Sequence, residues 1–223
     1  ATLLEMKKRA QEDPVFFFDQ FLYTFDPRVS PFHLRFKTFD FQRRLIREIL
    51  DAIENQHDIY IEKSRDMGAT YVVLGVFLWL WLWRPGVVFW IGSRKEDYVD
   101  NRRGGVVGNK EESLFGKIDY MLSRLPSFLL PEGFDRNKFF TYMSLTNPET
   151  GNSIGGESSN DNFSRGARKT AVLFDEFAFW ETGTNAWGSA GSSTFCRIIL
   201  TTPGNKPSKA KRLRFGKDGE KIK

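Results

Sequence analysis

The chain has 223 residues and a formal net charge of +5, from 33 Lys and Arg against 28 Asp and Glu. Hydrophobic residues make up 40% of it and aromatic residues 15%, with 22 Phe, which excludes disorder throughout and supplies a sizeable core. The single cysteine, Cys196, excludes an intramolecular disulfide framework and fits a reducing compartment; with only His33 and His57 beside it, no Cys/His zinc site can be built.

Residues 1–38 read as an irregular, aromatic-rich lead-in broken by Pro14, Pro27 and Pro31. Phe41, Leu45, Ile46, Ile49, Leu50 and Ile53 then recur at helical spacing, and Asp40 is placed to cap that helix. DIYIEK at 58–63 predicts a short strand with Ile59 and Ile61 on one face. A loop at 64–69 leads into an apolar helix over 70–83. Its uncharged run, Tyr71–Trp83, is shorter than the ~20 residues a membrane span needs, and Arg84-Pro85 ends it sharply, so it is read as a helix buried inside the fold and no membrane is expected. The first fourteen residues hold no apolar core of signal-peptide type.

Val87–Gly92 is a fully apolar strand, and 96–125 is mostly helical with an interruption around Gly104, Gly105 and Gly108. Short strands are expected over 138–156 with a turn at Asn147-Pro148. Thr170–Phe174 and Arg197–Thr201 are two further buried strands, and Cys196 is expected as a buried thiol beside the second. In Gly204–Lys223 the basic excess exceeds that of the whole chain, so the remainder is slightly acidic. This tail is either a solvated terminus or a contact for nucleic acid phosphates.

Continuous apolar strands alternating with helices indicate an α/β fold, a mostly parallel sheet covered on both faces. Ligands of such sheets bind beyond the C-terminal strand ends, which directs attention to loops 64–69, 92–97, 175–180 and 201–205. The first, KSRDMGAT at 63–70, meets two of the four anchors of G-x-x-x-x-G-K-[ST]: Gly68 and Thr70 fit, while Lys63 stands at the first Gly position and Ala69 at the Lys position. Gly68 permits close backbone approach to a phosphate, and the following helix start favours negative charge. Thr70 is a candidate Mg²⁺ ligand, and Arg65 or Lys63 can supply the cation that Ala69 cannot.

VLFDE at 172–176 delivers two carboxylates to a strand end. Asp175 would hold Mg²⁺ and Glu176 would polarise an attacking water, although a polar strand end is the plainer reading of the pair. Thr201-Thr202-Pro203 ends the next apolar strand and is either a further site loop or a simple strand exit. Gln42 carries an amide able to match an adenine edge, or is an exposed helix residue.

The order of these features carries a resemblance. The segments PFHLRFKTFDFQ (31–42), KSRDMGATY (63–71), VVFWIGSRKEDY (87–98), SRGARKTAVLFDEFAFW (164–180) and ILTTPGN (199–205) resemble the ATPase domain of the large terminase subunit of tailed bacteriophages, the DNA-packaging motor. The resemblance implies a RecA-like P-loop NTPase sheet of the ASCE type, with ATP and Mg²⁺ as cofactors. It implies that Lys63, Ser64, Arg65, Asp66, Met67, Gly68, Ala69, Thr70 and Tyr71 form the Walker A region and that Gln42 reads adenine. It further implies that Asp175 and Thr70 hold the metal, Glu176 is the catalytic carboxylate, and Thr201, Thr202 and Pro203 couple hydrolysis to movement. Arg65 would act at the phosphates, and Arg165 (with Arg168 as a nearby alternative) would reach the ATP of a neighbouring subunit as an arginine finger; the plainer reading of both loop arginines is DNA or solvent contact.

The implied partners are double-stranded DNA, a portal protein and a small terminase subunit, with a homo-oligomeric ring when assembled and a monomer alone. The implied place is the host cytoplasm, on the procapsid. The organisation expected is a lead-in at 1–38, an ATPase core at 39–205 and a basic tail or linker at 206–223. No acidic cluster follows residue 205, so the nuclease domain of that family, and DNA cleavage, are not expected. Arg102-Arg103 with Gly104-Gly105 is either a DNA-facing loop or an exposed turn. Ala69 keeps open a non-hydrolysing nucleotide-binding scaffold, and a helicase-like translocase is the other alternative.

Overall fold

The computed structural model describes residues 2–28, 30–102, 112–204, 206–216 and 222. The lead-in is more ordered than its prolines suggest. Thr2 caps α1 (Leu3–Glu12) by accepting from the Glu5 N–H, and Asp13 caps α2 (Pro14–Phe21) by accepting from the Phe16 N–H. Pro14 therefore stands at the first turn of a helix, where its missing N–H costs nothing, rather than breaking one. β1 (Tyr23–Phe25) and β2 (His33–Arg35) then pair antiparallel.

The expected helix follows as α3 (Asp40–Glu54). Asp40 lies in its first turn, not at the cap. The cap position is Phe39, whose N–H donates to Gln42 Oε1 at 3.0 Å. Next come β3 (Ile59–Glu62), the apolar α4 (Ala69–Trp83), β4 (Val88–Ser93), α5 (Glu96–Val99), α6 (Leu114–Ser123), α7 (Arg136–Phe139), β5 (Phe140–Thr141), β6 (Ser144–Thr146) and β7 (Ser153–Ser158). The interruption expected at Gly104, Gly105 and Gly108, and Arg103 with it, lies outside the described residues. β8 (Ala171–Asp175), α8 (Gly183–Gly191), β9 (Arg197–Thr201) and α9 (Lys209–Phe215) complete the chain, so part of the basic tail is helical.

Seven strands form one sheet in the order β3-β9-β8-β4-β7-β6-β5. The first five are mutually parallel, and β6 and β5 add an antiparallel edge. Alternation along the central strands feeds two cores. Leu173, Ile198 and Leu200 face a large cluster with α3, α4 and α6; Val172, Phe174 and Ile199 face a smaller one with Trp187 of α8 and Leu213 of α9. Helices thus cover both faces, as a parallel sheet requires.

The Phe-rich stretch has its explanation in the large core. Phe17, Phe18, Phe21, Leu22 and Phe36 are buried against α4, where Gly75 leaves room for the Phe18 ring; a Cβ at position 75 would lie 2.4 Å from Phe18 Cζ. Trp79 of α4 donates from Nε1 to the Ala10 carbonyl at 2.8 Å, tying α1 to the same helix. No helix among the described residues is long and apolar enough to cross a membrane, and α4 is buried in the core as expected.

Candidate active site

β9 lies between β3 and β8, so the three strand ends carrying the loop 63–68, Thr201-Thr202 and Asp175-Glu176 are adjacent. Backbone bonds continue past the strands: Lys63 N–H donates to the Thr201 carbonyl at 3.0 Å and Glu176 N–H to the Leu200 carbonyl at 2.7 Å. All three candidate segments therefore meet at one edge of the sheet.

The loop turns into α4 at Gly68, whose φ of 67° is one that L side chains rarely adopt. A Cβ there would lie 2.9 Å from Gln42 Nε2. Gln42 is buried and holds the loop from behind, its Nε2 donating to the Met67 carbonyl at 3.0 Å while its Oε1 accepts from Phe39. Its amide is thus spent largely on the chain itself. Asp66 pairs with Arg28 at 3.0 Å. Lys63 does not point freely into the loop: its Nζ bonds Glu176 Oε1 at 2.9 Å.

Glu176 sits in the left-handed backbone region at φ 52°, unusual for a residue with a side chain. Its Oε2 accepts from the Thr202 hydroxyl at 3.0 Å. Burial alone would raise its pKa, but the Lys63 ammonium and the Thr202 bonds outweigh that and hold it below the usual value, so it stays a carboxylate. Asp175 behaves oppositely. It is buried, and burial together with the neighbouring Glu176 charge pushes its pKa up to about 6. Ser93 Oγ lies 3.3 Å from its Oδ2, while its Oδ1 is buried with no hydrogen-bond partner among the described residues. A buried, unpaired carboxylate oxygen is costly unless something outside the protein satisfies it.

Thr201 is fully buried and structural in its contacts: its hydroxyl accepts from Ala178 N–H at 3.1 Å and donates to the Thr202 carbonyl at 3.0 Å. Pro203 lies beyond, on a groove shared with Lys206, Lys209, Lys211 and Arg212. Arg165 is exposed on the loop before β8, bonded to Asn162 Oδ1 at 3.0 Å, and lines neither of the two cavities described next.

A cavity of about 820 Å³ runs from the aromatic pair Phe39 and Phe41 past Gln42 and Lys63 to Thr70 and Tyr71, with Ser64, Asp66, Met67, Gly68 and Ala69 in its wall. A second, of about 390 Å³, is lined by Arg65, Thr70, Ser93, Arg94, Asp175, Glu176 and Thr202. The sequence-predicted loop, acid pair and Thr202 are therefore brought together, and Arg165 is not. Sequence reasoning missed Ser93, Arg94 and Lys117. The first two lie in a loop already singled out at the end of β4, whereas nothing local distinguishes Lys117, which lines both cavities from α6.

Cys196 is buried before β9, with its thiol pushed up to about 12 by burial, as an inert strand cysteine should be. No cluster of three or more His, Cys, Asp or Glu side chains exists among the described residues. Any cation here would be held by Asp175 Oδ1, a hydroxyl such as that of Thr70, and oxygens of water or ligand, a donor set that suits Mg²⁺. The unpaired Oδ1 of Asp175, which lines one cavity with Thr70, fits that ion, and the Gly68 turn fits a phosphate.

The sheet and its edge site define a RecA-like α/β fold. Among solved structures, the HK97 bacteriophage large terminase shares it with a TM-score of 0.60 over 95% of this chain at 11% identity. The chain spans 43% of that protein's length. The Thermus phage P74-26 large terminase ATPase domain aligns over 77% of this chain and 67% of its own at 18% identity and TM-score 0.46, and a point mutant of it at 17% identity and the same score. No family model matches the sequence, and none of the curated proteins does.

Proposed function

We propose that the chain is the ATP-hydrolysing motor domain of a viral large terminase, which drives double-stranded DNA into a procapsid from a ring docked on a portal protein and served by a small terminase subunit. The observation that carries the reading is the pairing of two carboxylates in opposite environments: Asp175, with an unpaired buried oxygen, and Glu176, kept ionised by Lys63, both lining one cavity with Thr70. Two acids pushed apart in this way take different tasks.

Asp175 and the Thr70 hydroxyl would hold Mg²⁺, which would supply positive charge to offset that on the transferring group. Glu176 orients and deprotonates the attacking water. Its contacts with Lys63 and Thr202 fix the carboxylate, and the Thr202 contact passes its state to the loop beyond β9. Gly68 and the start of α4 cradle the phosphates, with Arg65 reaching them from the rim. The base lies toward Phe39, Phe41 and Gln42. Arg165, exposed and away from its own site, acts on the nucleotide of a neighbouring subunit.

Glu176→Ala tests this. Turnover by the assembled ring falls by roughly 10²- to 10⁴-fold while nucleotide still binds; a variant that keeps its rate removes Glu176 from the chemistry. Ala69 favours a second reading, a nucleotide-binding scaffold without hydrolysis. Absence of turnover in the wild-type ring on DNA and portal would select it.

A further inference from the structure

The two cavities share two side chains, Thr70 and Lys117. A nucleotide with its base in the larger cavity and its terminal phosphate beside Asp175 and Glu176 has to pass between them. Thr70 belongs to the loop. Lys117 comes from α6 and is half-buried.

The loop itself is short of positive charge at this passage. Position 69 is alanine, and the Lys63 ammonium is bonded to Glu176 at 2.9 Å. Arg65 and Arg94 line the smaller of the two cavities and not the larger. Lys117 is also held in place by its helix. Ser113 caps α6 by accepting from Gly116 N–H at 2.9 Å, and Phe115, Ile118, Met121 and Leu122 are buried around it. Asp119, one half-turn on, is clamped by Arg136. The charge of Lys117 reaches Asp175, where it works against the effect of burial.

We propose that Lys117 is a phosphate-binding residue, supplying from α6 the ammonium that the loop lacks at position 69 and taking the β- and γ-phosphates of a nucleoside triphosphate. The proposal rests on the nucleotide-binding reading above. It separates the position of this cation in space from its usual position in sequence: an ammonium on a facing helix reaches the same anion as one on the loop.

The test is equilibrium binding to the full 223-residue chain, for wild type, Lys117→Met and Lys117→Arg, with three probes: a non-hydrolysable ATP analogue, inorganic tripolyphosphate and adenosine. Lys117→Met weakens the two phosphate probes roughly ten- to a hundredfold, the worth of one charge-assisted hydrogen bond. It leaves adenosine unchanged, and Lys117→Arg recovers most of the loss. Unchanged adenosine binding certifies that the variant is folded; if Lys117→Met binds none of the probes, the Arg variant decides, and wild-type affinity for the phosphate probes with arginine in place supports the proposal. Equal binding of tripolyphosphate by wild type and Lys117→Met overturns it while leaving the nucleotide reading intact. A wild-type chain that binds no phosphate probe overturns both.

Discussion

Asp175 carries the clearest consequence at the scale of single residues. Its folded-state pKa of about 6 stands above the ordinary 3.8, because burial and the Glu176 charge disfavour the carboxylate. Such an acid holds a proton that the unfolded chain has already released, so its contribution to stability is complete below pH ~4 and drains away as pH rises through about 6. In the metal-free protein, Asp175→Asn therefore stabilises at pH 8 by ~2–3 kcal/mol and gives no gain at pH 4. Urea unfolding at the two pH values in EDTA checks this, and equal gains at both would show that the carboxylate is not strained. Mg²⁺ added back at pH 8 should erase the difference by satisfying Oδ1. The candidate-site residues legible in the sequence are those whose type and strand position coincide: Gly68, Thr70, Asp175 and Glu176. Lys63 was legible as a cation but not as the partner of Glu176, because an ion pair across 113 positions leaves no trace in local sequence.

At the scale of elements, periodicity located α3, α4 and the buried strands well, because each has one dominant environment. The lead-in was misjudged for a definable reason. Three prolines look like breakers, yet Pro14 starts α2, and its aromatic side chains gain their environment from α4 rather than from their neighbours in sequence. The fit of Phe18 over Gly75 makes that packing testable. Gly75→Ala forces a methyl into the Phe18 ring and costs about 1–3 kcal/mol, although alanine is the better helix former. In a Phe18→Leu background the same change costs less, since the ring edge has gone. A double-mutant cycle by chemical denaturation reads the coupling, and additive costs would show that the two side chains do not compete for that space.

For the molecule as a whole, the sheet and its helical layers followed from apolar strands alternating with helices, whereas the strand order did not. No local pattern announces that β9 enters between β3 and β8. The N-terminal helices act at this scale too, because they cover one side of α4. Deleting residues 2–22 removes Phe18 and Leu22 from Gly75, the Phe17 ring from Trp83 and the Ala10 carbonyl from Trp79. The truncated chain should melt well below the parent and bind a hydrophobic dye at room temperature; an unchanged Tm would show that the arm is dispensable to the core.

The insertion of β9 also sets a schedule for synthesis. Lys63 and the Asp175-Glu176 pair stand at the ends of strands that are not neighbours in the sheet, and the strand between them is the last, among the described residues, to leave the ribosome. Until it does, β3 has no parallel neighbour, Thr202 does not yet exist beside Glu176, and the loop faces no acid pair. A nascent chain halted before β9 lacks both the Thr202 contact to Glu176 and the Ile198 and Leu200 side chains of the large core, so one strand finishes the core and the candidate site together.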